Sequence, residues 1–135
     1  MTFPLGTLYH GTKFAVEGLS EALSWEMEPI GVRVKLVEPG AIKTDFAGRS
    51  FDFSNDEGMV EYQPTVKKLL AGIANLVSTG SDPIVVAKVI YEAATDGTNQ
   101  LRYTAGEDAK VLMANRKAAD DATFMRGIRD RLGLQ

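Results

Sequence analysis

The sequence predicts an α/β fold, and three observations carry that prediction. A long helical apolar period is followed, after one tight turn, by a short β-branched alternating run. That run stops at Pro39-Gly40, and helix signals then enclose a second short strand-like run. Helix, tight turn, strand and Pro-Gly loop in succession is the rhythm of alternating α and β elements. The chain has 135 residues, 44% of them apolar and 24% charged, which suits one domain with a respectable core.

From about Leu8 to Glu28, the residues Leu8, Ala15, Leu19, Ala22, Leu23, Met27 and then Ile30 follow the 3.6-residue period of a helix. Phe14, Val16 and Trp25 lie off that stripe and give the helix a second apolar face. Such a face means burial on two sides or a contact between copies. Pro29 and Gly31 stop the helix. In Val32–Val37, the residues Val32, Val34 and Leu36 alternate with Arg33 and Lys35, which predicts a strand over about 32–38.

Ala41 to about Gln63 shows no clear period. It is acidic (Asp45, Asp52, Asp56, Glu57, Glu61) and aromatic (Phe46, Phe51, Phe53, Tyr62). A stretch of that length reads as a lid or binding loop, or else as a solvated connection with phenylalanines tucked beneath it. Val66, Leu69, Leu70 and Ile73 mark a helix over about 65–76. Asp82 caps a further helix with Pro83 at its first position, and Asp96-Gly97 closes it. Leu101–Ala105 reads as a second strand, and 108–119 and 121–132 as two closing helices.

Composition excludes several classes of function. With no cysteine there is no disulfide framework and no thiolate chemistry, which suits a reducing, cytoplasmic setting. A single histidine rules out a site needing two imidazoles. The net charge of −3 argues against a nucleic-acid partner. No apolar run is long enough to span a bilayer, and the first residues do not read as a secretory signal.

Tyr9 and Lys13 stand at i and i+4, so they share a face of the first helix. An ammonium beside a phenol favours the phenolate, and a phenol tuned that way exchanges a proton with a carbonyl or alcohol oxygen near neutral pH. The spacing alone carries little. Its context is stronger: the following strand ends in Pro39-Gly40-Ala41-Ile42-Lys43-Thr44, and open α/β sheets bind ligands just outside the carboxyl ends of their strands. His10 points about 100° away from Tyr9 around the helix and reads as a surface or packing residue.

Tyr9-His10-Gly11-Thr12-Lys13, the helix to Glu28 and Val37–Thr44 together closely resemble the short-chain dehydrogenase/reductase family, and the later elements keep that family's order. The resemblance implies a partial doubly wound, Rossmann-like parallel sheet: two strands with flanking helices, matching the carboxyl-terminal half of such a domain over 1–135. It implies Tyr9 as general acid/base. Lys13 would lower the tyrosine pKa and hold the nicotinamide ribose hydroxyls. Pro39, Gly40 and Ile42 would lie along the nicotinamide, and Thr44 would bind the carboxamide or a phosphate. NAD or NADP would be the cofactor and a small-molecule carbonyl/alcohol pair the substrate, with no metal, no nucleic acid and no membrane. The acidic-aromatic loop would be the substrate lid.

No Gly-x-x-x-Gly-x-Gly turn precedes Tyr9, and the family's serine and asparagine have no counterpart in the eight residues before it. Weak or no cofactor binding is therefore expected of this chain alone. Two readings follow: an oxidoreductase active only with the amino-terminal cofactor-binding half, or a truncated module that assembles without catalysis. In either, the second apolar face of the first helix predicts a homo-oligomer.

Overall fold

A computed structural model describes residues 2–134. Helix α1 (Thr7–Met27) runs into a 3₁₀ turn at Glu28–Ile30, and Gly31 reverses the chain with φ +78°. Strand β1 (Leu36–Pro39) follows, then a single π-type turn at Phe46–Ser50 within the long loop. Helices α2 (Gln63–Thr79) and α3 (Pro83–Thr95) lead to strand β2 (Arg102–Ala105), and α4 (Glu107–Ala118) and α5 (Asp121–Leu132) close the chain. This is an α/β architecture whose two parallel strands are flanked by helices, a partial Rossmann-like sheet.

The strands pair in the register Leu36↔Arg102, Val37↔Tyr103, Glu38↔Thr104 and Pro39↔Ala105. β1 is shorter than the 32–38 expected. The Leu36 amide bonds to Leu101 O at 2.7 Å, and β2 begins only opposite Leu36, so Val32–Lys35 have no strand partner. Among the described residues no strand pairs with the other edge of β1. The Asp82 carboxylate caps α3 as expected, accepting from the Ile84 amide at 2.9 Å.

Successive side chains alternate across a strand, so the sheet has two unlike faces. Tyr103 and Ala105 are buried on one, with Ala93 of α3 and Ala109 of α4. Val66 and Leu69 of α2 are also buried, each contributing about 1.5–3 kcal/mol. The opposite face presents Leu36, Glu38, Arg102 and Thr104. Here α1 meets the sheet through charge: the Arg102 guanidinium reaches Glu17 at 3.0 Å and Glu21 at 2.6 Å.

This corrects the expected packing of α1. Its partly covered residues are Glu17, Ser20, Ser24 and Met27, a mostly polar strip one side of the helix wide. Leu19 is 70% and Trp25 72% exposed, and Leu8, Phe14, Val16 and Leu23 are exposed too. The accessible surface is 9678 Å², where a compact monomer of 14.6 kDa exposes about 6,900 Å².

Candidate functional site

Tyr9 and Lys13 lie in the first two turns of α1. The Lys13 ammonium lies 5.5 Å from the centroid of the Tyr9 ring, over its face. Tyr9 is 44% exposed. Among the described residues Lys13 has no carboxylate within ion-pair distance, which leaves its three N–H donors available.

His10 has a different task. Its ring is the one buried polar side chain among the described residues, and Nε2 accepts the Phe3 amide at 3.0 Å. The Phe3 ring stands edge-on to it at 4.3 Å. Burial holds the imidazole pKa below its ordinary value, so the neutral acceptor form persists. The histidine is a packing residue that ties the segment before α1 to the helix.

At the end of β1, the Gly40 amide makes the last ladder bond, to Ala105 O at 2.9 Å. Beyond it Ile42 forms a parallel bridge with Ser81. The Ser81 amide donates to Ala41 O at 2.8 Å, and the Lys43 amide donates to Ser81 O at 2.9 Å. Pro39, Gly40 and Ile42 therefore sit on a turn anchored from two sides. The Thr44 hydroxyl accepts the Phe46 amide at 3.4 Å, at the mouth of the long loop.

The long loop reaches Tyr9 through one aromatic contact. The Phe46 ring lies 6.3 Å from the Tyr9 ring, and Phe51 and Phe53 continue the row at 6.2 and 5.6 Å. The loop thus folds its aromatic residues toward Tyr9 while Asp45, Asp52, Asp56 and Glu57 stay exposed. Among the described residues neither Tyr9 nor Lys13 hydrogen-bonds through its side chain to Pro39–Thr44. Sequence reasoning missed three contributors here: Phe46 as the ring against Tyr9, Ser81 as the anchor of Ala41, and Asp108, whose carboxylate accepts the Ala41 amide at 2.7 Å. Ser81 and Asp108 act across tens of residues, and no local pattern marks them.

The two-stranded parallel sheet flanked by helices fits part of a Rossmann-like α/β fold. Sequence comparison agrees and is more specific. Residues 1–55 match the short chain dehydrogenase family. Two oxidoreductases of Schizosaccharomyces pombe are each 44% identical to the chain over 99% of its length and 56% of theirs. An oxidoreductase of Bacillus subtilis is 33% identical over 82% of the chain and 41% of its own length. A 3-ketodihydrosphingosine reductase of Bacteroides thetaiotaomicron is 31% identical over 87% and 44%. The chain belongs to the short-chain dehydrogenase/reductase family, and it spans about half the length of the curated relatives it matches. Among the described residues no helix is long and apolar enough to cross a membrane.

Proposed function

We propose that the protein carrying this chain is an NAD- or NADP-dependent oxidoreductase acting on a carbonyl/alcohol pair, with Tyr9 as its proton-transfer residue. The observation that carries this reading is the exposed Tyr9 with the Lys13 ammonium 5.5 Å over its ring, on a helix whose Tyr9 meets Phe46 of the loop that follows a parallel strand. The donor set suits the nicotinamide end of such a cofactor. Lys13 offers N–H donors to ribose hydroxyls, and the anchored turn Pro39–Ile42 offers a fixed edge to a flat ring, with the Thr44 hydroxyl beyond it. No residues of this sequence form a glycine-rich cradle for the pyrophosphate.

A nicotinamide held by these residues would supply or accept the hydride. In the reducing direction the Tyr9 hydroxyl donates its proton to the substrate oxygen as that oxygen gains negative charge. Lys13 stabilises the phenolate left behind, which then takes a proton from solvent. Oxidation of an alcohol runs the same transfers backwards. The Phe46 ring, 6.3 Å from that of Tyr9 and followed by Phe51 and Phe53, would border a substrate held at the Tyr9 hydroxyl.

The outer face of α1 supports a partner as well: a second copy covering Leu19 and Trp25 gives a homo-oligomer by closed symmetry.

The test is turnover of the full natural protein with NADH and NADPH on a panel of ketones and alcohols. Tyr9→Phe is expected to cut kcat about 10²–10⁴-fold with cofactor affinity retained. Lys13→Ala is expected to damage both. Substantial turnover by Tyr9→Phe contradicts the assignment.

A further inference from the structure

We propose that Asp108 is a positioning residue that holds the Pro39–Ile42 turn in the shape the cofactor meets. The inference rests on the reading of that turn as the nicotinamide edge. It starts from the backbone donors the chain presents as it leaves the sheet. The Gly40 amide is still satisfied by Ala105 O in the ladder. The next donor, Ala41 N–H, has no strand to pair with, and the Asp108 Oδ2 accepts it at 2.7 Å from a position 67 residues further along the chain. An aspartate in the first turn of a helix ordinarily serves that helix's own amides. Asp108 instead directs an oxygen to β1.

Two glycines make room for it. A Cβ on Gly40 would lie 2.5 Å from the Asp108 Cγ, and one on Gly106 would lie 2.7 Å from its Oδ1. Gly106 also has φ +102°, a conformation that side chains disfavour. The carboxylate is therefore seated against the backbone on both strand exits, Gly40 after β1 and Gly106 after β2. From the other side Ser81 brackets Ala41 and Lys43. With the carboxylate in place the turn is fixed before any ligand arrives, so binding costs less ordering. Without it, the Ala41 amide loses a charge-assisted bond, and Gly40 is free to rotate. Asp108 itself touches neither substrate nor cofactor in this account; it acts through the turn.

The experiment uses the full natural protein. It measures NADH and NADPH dissociation constants by fluorescence titration, thermal unfolding, and hydrogen exchange of the Ala41 amide. Asp108→Ser keeps a residue that favours a helix start, but its hydroxyl is too short to reach Ala41. Asp108→Asn keeps an acceptor oxygen at the same reach. Asp108→Ser is expected to weaken cofactor binding about tenfold and to speed Ala41 exchange while the protein still unfolds cooperatively near the native temperature. Asp108→Asn is expected to restore most of both. Equal affinity in wild type and Asp108→Ser overturns the inference and leaves the proposed function standing. Loss of cooperative unfolding in Asp108→Ser overturns it in favour of a purely structural aspartate. Wild type that binds neither dinucleotide removes the functional reading itself, and the inference falls with it.

Discussion

The two faces of the sheet are held by different physics. On one, Tyr103 and Ala105 are packed under α3 and α4, and the Tyr103 hydroxyl closes a polar knot. It donates to Asp96 at 2.5 Å and accepts from the Lys35 ammonium at 2.8 Å, which also bonds Thr98 O at 2.7 Å. On the other, α1 touches the sheet through the Arg102 pairs with Glu17 and Glu21 and turns its apolar residues to solvent. The knotted face has a buried centre at Tyr103, Ala105, Ala93 and Ala109, although α3 and α4 also leave Ile84, Ile90, Tyr91 and Val111 exposed. The α1 face has its charges matched and its apolar surface unmatched. Apolar burial supplies most of the favourable free energy of folding, and α1 gains little of it from the sheet among the described residues.

The largest expected effect lies on the knotted face. Tyr103→Ala removes a buried ring and strips the hydroxyl from both Asp96 and Lys35, so a loss of about 3–5 kcal/mol is expected by urea unfolding. A loss under about 1 kcal/mol would mean that this face is no better packed than α1.

Acid sharpens the same contrast. The hydrogen bond from Tyr103, with those from Thr98 and Lys35, holds the Asp96 carboxyl well below the usual carboxylate range. A depressed folded-state pKa gives stability that is fully present above the unfolded value, about 3.9 for Asp, and is lost as pH falls toward the folded one. The melting temperature is therefore expected to drop on acidification below about pH 4, and Asp96→Asn to flatten that drop. An unchanged acid slope in Asp96→Asn would remove the knot from the account.

The smallest stability effect is expected on α1. Trp25→Ala, at a 72% exposed position, should change the unfolding free energy of dilute protein by less than about 0.5 kcal/mol. It should nevertheless reduce self-association, read by sedimentation velocity. A large stability loss would show that Trp25 is packed within its own chain.

Much of the fold was legible because its signals are local. Asp82-Pro83 starts α3 and Pro29 with Gly31 ends α1, each by chemistry confined to a few residues. That Tyr9 and Lys13 share a helix and that a turn follows β1 at Pro39–Gly40 were legible the same way, through spacing and local turn chemistry. What depended on partners was not legible. The alternating 32–35 run has strand propensity but no neighbour to pair with, so β1 begins at Leu36. The period of α1 reveals an apolar stripe without saying which side the sheet occupies. Arg102, more than seventy residues away, draws Glu17 and Glu21 inward and leaves Leu19 outside. Asp108 was invisible for the same reason, since its acceptor role depends on β1 lying beside β2.

The contrast between the two faces reduces to whether the apolar side of α1 needs a cover, and the solution mass of the 135-residue chain answers that most directly. Light scattering at micromolar concentration is expected to give a mass of at least twice 14.6 kDa, with Trp25→Ala shifted toward the smaller species. A wild-type chain of 14.6 kDa that unfolds in one cooperative transition would contradict the account, because α1 would then be stable with its apolar face in water.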